Sequence, residues 1–237
     1  RALLKNPDQP NIARASAVSR LGERLNPAAF ESIRPLLTDP DPLLRSTAAR
    51  ALEGLPPELK VRHLPPLLDD PVRLVRIEAA RALASVPQES LDEIQRRAVQ
   101  RGIAEYTTAE MTNADRPESF LNIGLIEVDQ RQFDKAEAAY RAALALQPDF
   151  TQAAVNLADL YRLQGHDAEG EKTLRQALAL DPQNAAAHHA LGLLLIRGKR
   201  LPDAITALAE AARLDSDNPR YGYVYAVALN STGQGPK

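Results

Sequence analysis

The sequence contains no cysteine, so no disulfide, cysteine-ligated zinc, iron–sulfur cluster or covalently attached haem can form within it. Tryptophan is also missing, and aromatic residues make up only 4% of the chain. A β-sandwich or barrel would draw on aromatic and β-branched residues for its faces. The abundant alanine and leucine favour helices packed through small side chains. No apolar run approaches the length needed to span a bilayer, so no membrane insertion is expected.

Charge of one sign is not in excess. The 29 basic and 31 acidic residues give a formal net charge of −2. Residues 1–87 hold 13 basic and 10 acidic side chains, and residues 117–237 hold 12 and 15. Neither stretch has the basic surplus of a dedicated nucleic-acid or acidic-membrane binder. The chain opens on RALLKNPDQP, with neither an initiator methionine nor a charged-then-apolar signal segment. It therefore reads as a piece of a longer protein, and its compartment stays open.

Motifs that carry chemistry are missing as well. There is no glycine-rich phosphate loop, no nucleophile elbow and no His-Glu-x-x-His. The histidines are His63, His166, His188 and His189. Side chains of the adjacent pair point about 100° apart on a helix, so they are not an i, i+4 metal pair. Acidic pairs such as Asp39 with Asp41, and Asp69 with Asp70, fall at expected helix starts, where capping accounts for them. No catalysis, cofactor or metal is expected.

What the sequence does have is repetition. LTDPDPLLRSTAARAL, residues 37–52, is written again as LDDPVRLVRIEAARAL, residues 68–83. Asp39 maps to Asp70, Arg45 to Arg76 and Arg50 to Arg81, each at an offset of 31, and a fixed offset of this size signals a repeat architecture. A degenerate earlier copy, NPDQPNIARASAVSRL, sets Arg14, Ala17 and Leu21 another 31 residues back. Within a unit, Asp-Pro makes a turn and starts a helix. Leu44, Ala48, Ala51 and Leu52 then form one apolar stripe. The companion helices contain Pro35 and the Pro65-Pro66 pair, which should bend or shorten them. These units resemble the short bacterial form of the HEAT repeat, marked by Asp-Pro, Val-Arg and AARAL. The resemblance implies helical hairpins in which Asp39 and Asp70 pair with Arg45 and Arg76, within or between units.

After Arg116 the period changes to 34. Ile123, Leu157, Leu191 and Tyr225 coincide, as do Gly124, Ala158, Gly192 and Ala226, with Tyr140, Leu174 and Leu208 supplying bulk on the second helix. Small residues where helices cross closely, each beside a bulky one, suit antiparallel hairpins. This pattern resembles the tetratricopeptide (TPR) family over three full units, residues 117–216. A fourth unit, PRYGYVYAVALNSTGQ, is expected to end before its second helix, leaving Tyr221, Tyr225, Ala228 and Leu229 exposed for self-association. Between the arrays, Leu91, Ile94, Ala98, Ile103 and Tyr106 keep helical spacing, which predicts one long helix over about residues 90–113, slightly weakened by Gly102.

Together these readings give an all-α, right-handed α-solenoid with HEAT-like repeats over 1–87, a connecting helix in 88–116 and TPR repeats over 117–237. Such solenoids expose a concave surface. In the TPR half its stripe is read as Leu121, Leu125 and Val128; Val155, Asp159 and Arg162; His189, Leu193 and Ile196; then Tyr223, Val227 and Asn230. This surface suits an apolar peptide, a helix or a domain of the parent chain. The TPR proteins that clamp a terminal carboxylate place Lys, Asn and Arg along it. Here Asn156 fits, while Leu121, Leu125, Ala186 and Ala190 occupy the other places. A phosphate-tracking surface on Arg73, Arg76 and Arg81 is the alternative. The order of HEAT-like units, long helix and TPR units also resembles the C-terminal repeat region of certain bacterial multihaem cytochrome c proteins, which implies a periplasmic parent.

Overall fold

Proline and aspartate set the local structure of the first half. The computed structural model describes Leu4 and residues 9–231, and among these residues there are thirteen α-helices and no strand. The start of the degenerate first copy (residues 6–8), and the residues after Ser231 that bear on a shortened fourth hairpin, lie outside the described residues. Residues 1–112 and 113–237 form two compact units.

In the first unit, α1 (Asn11–Gly22), α3 (Pro42–Ala51) and α5 (Arg73–Ala84) alternate with the shorter α2 (Pro27–Ile33) and α4 (Pro57–His63). Pro35 and the Pro65-Pro66 pair do shorten these companions. Each continues only as a 3-10 stretch, Arg34–Thr38 and Pro65–Asp69, because proline lacks the amide that an α-helical turn needs. Leu44, Ala48 and Leu52 of the expected stripe are fully buried, and α3 packs between α1 and α5. Asp39 and Asp70 close turns instead of capping helices. Asp39 Oδ1 accepts from the Asp41 amide and Asp70 Oδ1 from the Val72 amide, both at 2.9 Å. The cap of α3 is Asp41, which accepts from the Leu43 amide.

The expected Asp–Arg pairs run between units, each arginine reaching forward. Arg14 meets Asp39 at 3.1 Å, and Arg45 grips Asp70 with two bonds of 2.7 and 3.0 Å. The third rung differs from expectation. Arg76 pairs with Glu105, because the position 31 residues after Asp70 is Arg101, which itself pairs with Asp69. Arg45 and Arg76 also donate to carbonyls of their own turns, Asp39 with Pro40 and Asp70 with Pro71. One planar guanidinium thus fixes its own turn and the next unit together.

Glu105 sits on α6 (Glu93–Met111), opened by a capping box of Asp92 and Gln95. This helix packs on α5. Gly102 has a role the propensity argument missed: a Cβ there would stand 2.5 Å from the Ala80 Cβ and 3.2 Å from the Arg76 carbonyl oxygen. The glycine lets the two helices touch.

The second unit is built of hairpins: α7 (Pro117–Asp129) with α8 (Phe133–Leu146), α9 (Thr151–Gln164) with α10 (Asp167–Leu180), and α11 (Ala185–Arg197) with α12 (Leu201–Leu214). Helix α13 (Pro219–Ser231) follows. The large-and-small alternation places the fully buried Tyr140 ring directly over Gly124. Ala158 and Leu174 occupy the same positions in the next hairpin and share a core cluster. Gly192 under Leu208 follows in the third. The face expected to be open on α13 is covered instead. Ala228 is buried, and Tyr221, Tyr225 and Leu229 are half-buried, because α13 lies against α12. Tyr223 and Val227 are the exposed large side chains of that helix.

Each hairpin turn contains one left-handed residue at the same place in the repeat: Arg131 (φ 58°), Gly165 (φ 80°) and Lys199 (φ 59°). The turns share their hydrogen bonds as well, the amides of Gln132, His166 and Arg200 donating to the carbonyls of Glu127, Tyr161 and Leu195. Only the middle turn uses glycine, the residue this conformation favours. Lys199→Gly is therefore expected to stabilise the unit by about 0.5–1 kcal/mol, and Gly165→Ala to destabilise it by about 1 kcal/mol. Nothing lies within 4 Å of a Cβ at Gly165, so that cost is purely backbone. Urea denaturation of both variants measures it.

Candidate functional site

The first helix of each TPR-like hairpin carries the predicted stripe, and packing divides it. Leu121 is 5% exposed and belongs to the core cluster of Ala136, Tyr140, Ala143, Leu157 and Tyr161, so it is not a surface residue. Val128 and Ile196 are half-buried against core clusters. Asn156 is half-buried, while Leu125, Tyr223 and Val227 are exposed, and none of these lines the groove described next.

Five predicted residues do come together. Val155, Asp159 and Arg162 from α9, with His189 and Leu193 from α11, line one open groove of about 550 Å³. Ala186, Ala190 and Arg197 from α11, and Arg220 and Tyr221 from α13, complete it. The mouth is charged: Arg162 Nε donates to Asp159 at 3.0 Å, and Arg197 Nε donates to Asp167 at 2.9 Å. Arg220 is exposed and forms no ion pair among the described residues.

His189 is the unusual group. It is 6% exposed, its ring tilts against Tyr221 with centroids 4.6 Å apart, and neither ring nitrogen has a hydrogen-bond partner among the described residues. Burial pushes its pKa below the ordinary histidine value, the Arg220 charge pushes the same way, and Asp159 opposes them. The ring is therefore held neutral, offering one donor and one acceptor. Among the described residues no cluster of three or more His, Asp or Glu could hold a metal ion, and no helix is long and apolar enough to cross a membrane.

Comparison with known proteins matches residues 1–105 to HEAT repeats and residues 121–171 and 164–219 to the tetratricopeptide repeat. The chain carries HEAT repeats followed by tetratricopeptide repeats. No curated protein matches it. Among solved structures, TTC0263, a thermophilic TPR protein of Thermus thermophilus, is 19% identical and aligns over 91% of this chain and 98% of its own with a TM-score of 0.51. MamA 41-end of Desulfovibrio magneticus RS-1 is 16% identical over 67% of this chain and 86% of its own, with a TM-score of 0.48. At 19% identity the likeness to TTC0263 concerns the fold alone, an all-α solenoid. No match bears on the resemblance to multihaem cytochromes.

Sequence reasoning missed Arg220 of the TPR unit, and it placed Tyr221 on the open face of the fourth hairpin, not in this groove. A signal was present: on the 34-residue frame Tyr221 follows Ser119, Ala153 and Ala187, and a large ring at a position otherwise small and buried cannot enter the same slot. It turns onto His189 instead. In the same unit, the Tyr161 hydroxyl donates to Glu137 and accepts from Arg141, tying α9 to α8 beside the groove.

Proposed function

We propose that this chain is a non-catalytic interaction scaffold that binds an extended peptide segment, from a partner protein or from its own parent chain, in the groove between α9, α11 and α13. The observation that carries this reading is the groove itself: an open concavity with apolar walls at Val155, Ala190 and Leu193, charged edges, and a buried imidazole whose nitrogens have no partner within the described chain. Native structures satisfy nearly all their buried polar groups, and a bound molecule that enters the groove can supply the bonds His189 lacks. A peptide strand, with donors and acceptors along its backbone, suits it.

The alternative of a phosphate-tracking HEAT surface finds little support, because its arginines are already engaged. Arg73 donates to the Glu105 carbonyl, Arg76 pairs with the Glu105 carboxylate, and Arg81 pairs with Glu78 while lying over the Tyr106 ring. A backbone-binding surface needs such cations free for phosphates.

The test uses peptides selected on the intact chain from a random dodecapeptide library. Ala186 is exposed and lines the groove, so Ala186→Trp fills the space without disturbing the core. Selected peptides are expected to lose at least tenfold in affinity for this variant. Peptides that bind it as well as the original chain would place the interaction elsewhere and defeat the reading.

A further inference from the structure

We propose, resting on the peptide-groove reading, that the groove recognises an acidic side chain of its peptide, with one carboxylate held between the His189 imidazole and the Arg220 guanidinium. The groups around His189 lead to this choice. Asp159 and Arg162 face it from α9, Arg220 and Tyr221 from α13, and Arg197 lies further along its own helix. Arg162 is turned to Asp159, and Arg197 to Asp167. Arg220 makes no ion pair among the described residues, and both His189 nitrogens lack partners. One free guanidinium beside one unpartnered imidazole matches a single negative charge, whereas a phosphate brings nearly two. Asp159 cannot serve as the partner itself, since Arg162 already holds it and it lies on the neighbouring helix.

Proton uptake follows. In the free groove, burial and the Arg220 charge keep His189 neutral. A carboxylate against the ring favours its protonated form, so the complex binds a proton more tightly than the free protein does. By linkage, affinity for the acidic peptide strengthens as pH falls from about 8 to about 6. The acidic residue would act as a charge-assisted acceptor, worth about a tenfold difference in Kd over a neutral amide of the same shape.

The experiment takes the peptides whose binding to the intact chain is lost in Ala186→Trp. They are expected to contain Asp or Glu, and replacing that residue by Asn or Gln should weaken binding about tenfold at pH 7 and abolish the gain toward pH 6. Arg220→Gln should reduce the preference for acid over amide, most clearly at pH 8, where His189 is neutral. His189→Gln should remove the pH dependence while retaining binding at pH 8. Arg220 is exposed, so its variant keeps the test decisive if the buried His189→Gln fails to fold. Groove-dependent peptides without an acidic residue, equal binding of acid and amide forms, or affinity independent of pH would overturn the carboxylate site while leaving the peptide groove standing. If no groove-dependent peptide emerged, both readings would fall.

Discussion

Arg45→Ala is expected to lower the stability of the HEAT unit by about 2–3 kcal/mol, because it leaves the Asp70 carboxylate buried without its cation. The Arg45 and Asp70 side chains are only 13% and 7% exposed, which removes most of the solvent screening that makes surface pairs weak. The arginine does more than balance charge: it bonds both oxygens of Asp70 and the carbonyls of Asp39 and Pro40. Arg45→Lys should recover only part of the loss, since an ammonium cannot hold two turns with one planar fork. The same rung sets an acid limit. Burial opposes ionisation of Asp70, but hydrogen bonds from Arg45 and the Val72 amide, together with the charges of Arg45 and Arg76, outweigh it and hold the carboxyl below its ordinary pKa. The stabilisation is thus fully present above about pH 4, the unfolded value, and is lost as pH falls through the lower folded one. Urea titrations at pH 7 and pH 3 would show the Arg45→Ala penalty shrinking in acid. A penalty unchanged at pH 3 would mean that packing of the arginine stem, not its charge, is what matters. Arg76 and Glu105 are more exposed, at 21% and 24%, so Arg76→Ala should have the smaller effect.

The second large effect lies where Tyr140 covers Gly124. A Cβ at position 124 would stand 2.3 Å from the ring, and the ring is fully buried with no room to retreat. Gly124→Ala should therefore cost about 2 kcal/mol, overpacking winning over the gain in helix propensity. Tyr140→Leu alone should cost about 1–3 kcal/mol by leaving a void. Together the two changes rebuild the Ala158 and Leu174 combination of the next hairpin, so the double variant should be more stable than the sum of its parts by about 1–3 kcal/mol. Thermal unfolding of all four chains closes the cycle. Strict additivity would show that the two positions are not in the contact described.

These two sites also show why repeats read well from sequence and sites less so. Gly124, Ala158 and Gly192 could be aligned with Tyr140, Leu174 and Leu208 because close packing imposes the same volume requirement in every hairpin. Pro35 and Pro65 announced shortened helices for an equally local reason, a missing amide. The groove obeys no such rule. Register alone put Leu121 and His189 on the same stripe, yet Leu121 joins a core enlarged by Tyr140 and Tyr161 while His189 lies under a tyrosine from another hairpin. Which side chain faces a ligand depends on what its neighbours leave uncovered, and that is a property of the packed repeats together. Arg220 and the turn of Tyr221 onto His189 are not legible in this way, because both positions depart from the repeating pattern.

The forward-reaching arginines give the HEAT array a direction of growth. Every internal unit offers an aspartate behind and an arginine ahead, so a duplicated 31-residue segment carrying both Asp70 and Arg76 would extend the chain of pairs without a new surface being devised. The series closes where α6 presents Glu105 to the last arginine and Arg101 stands where the next aspartate would be. A unit added anywhere ahead of α6 would meet its complement on both sides, whereas one added after α6 would find Arg101 where an aspartate belongs. Lengthening by duplication is thereby confined to one side of a fixed terminus, and the number of units can change while the junction ahead of the tetratricopeptide repeats keeps its own chemistry.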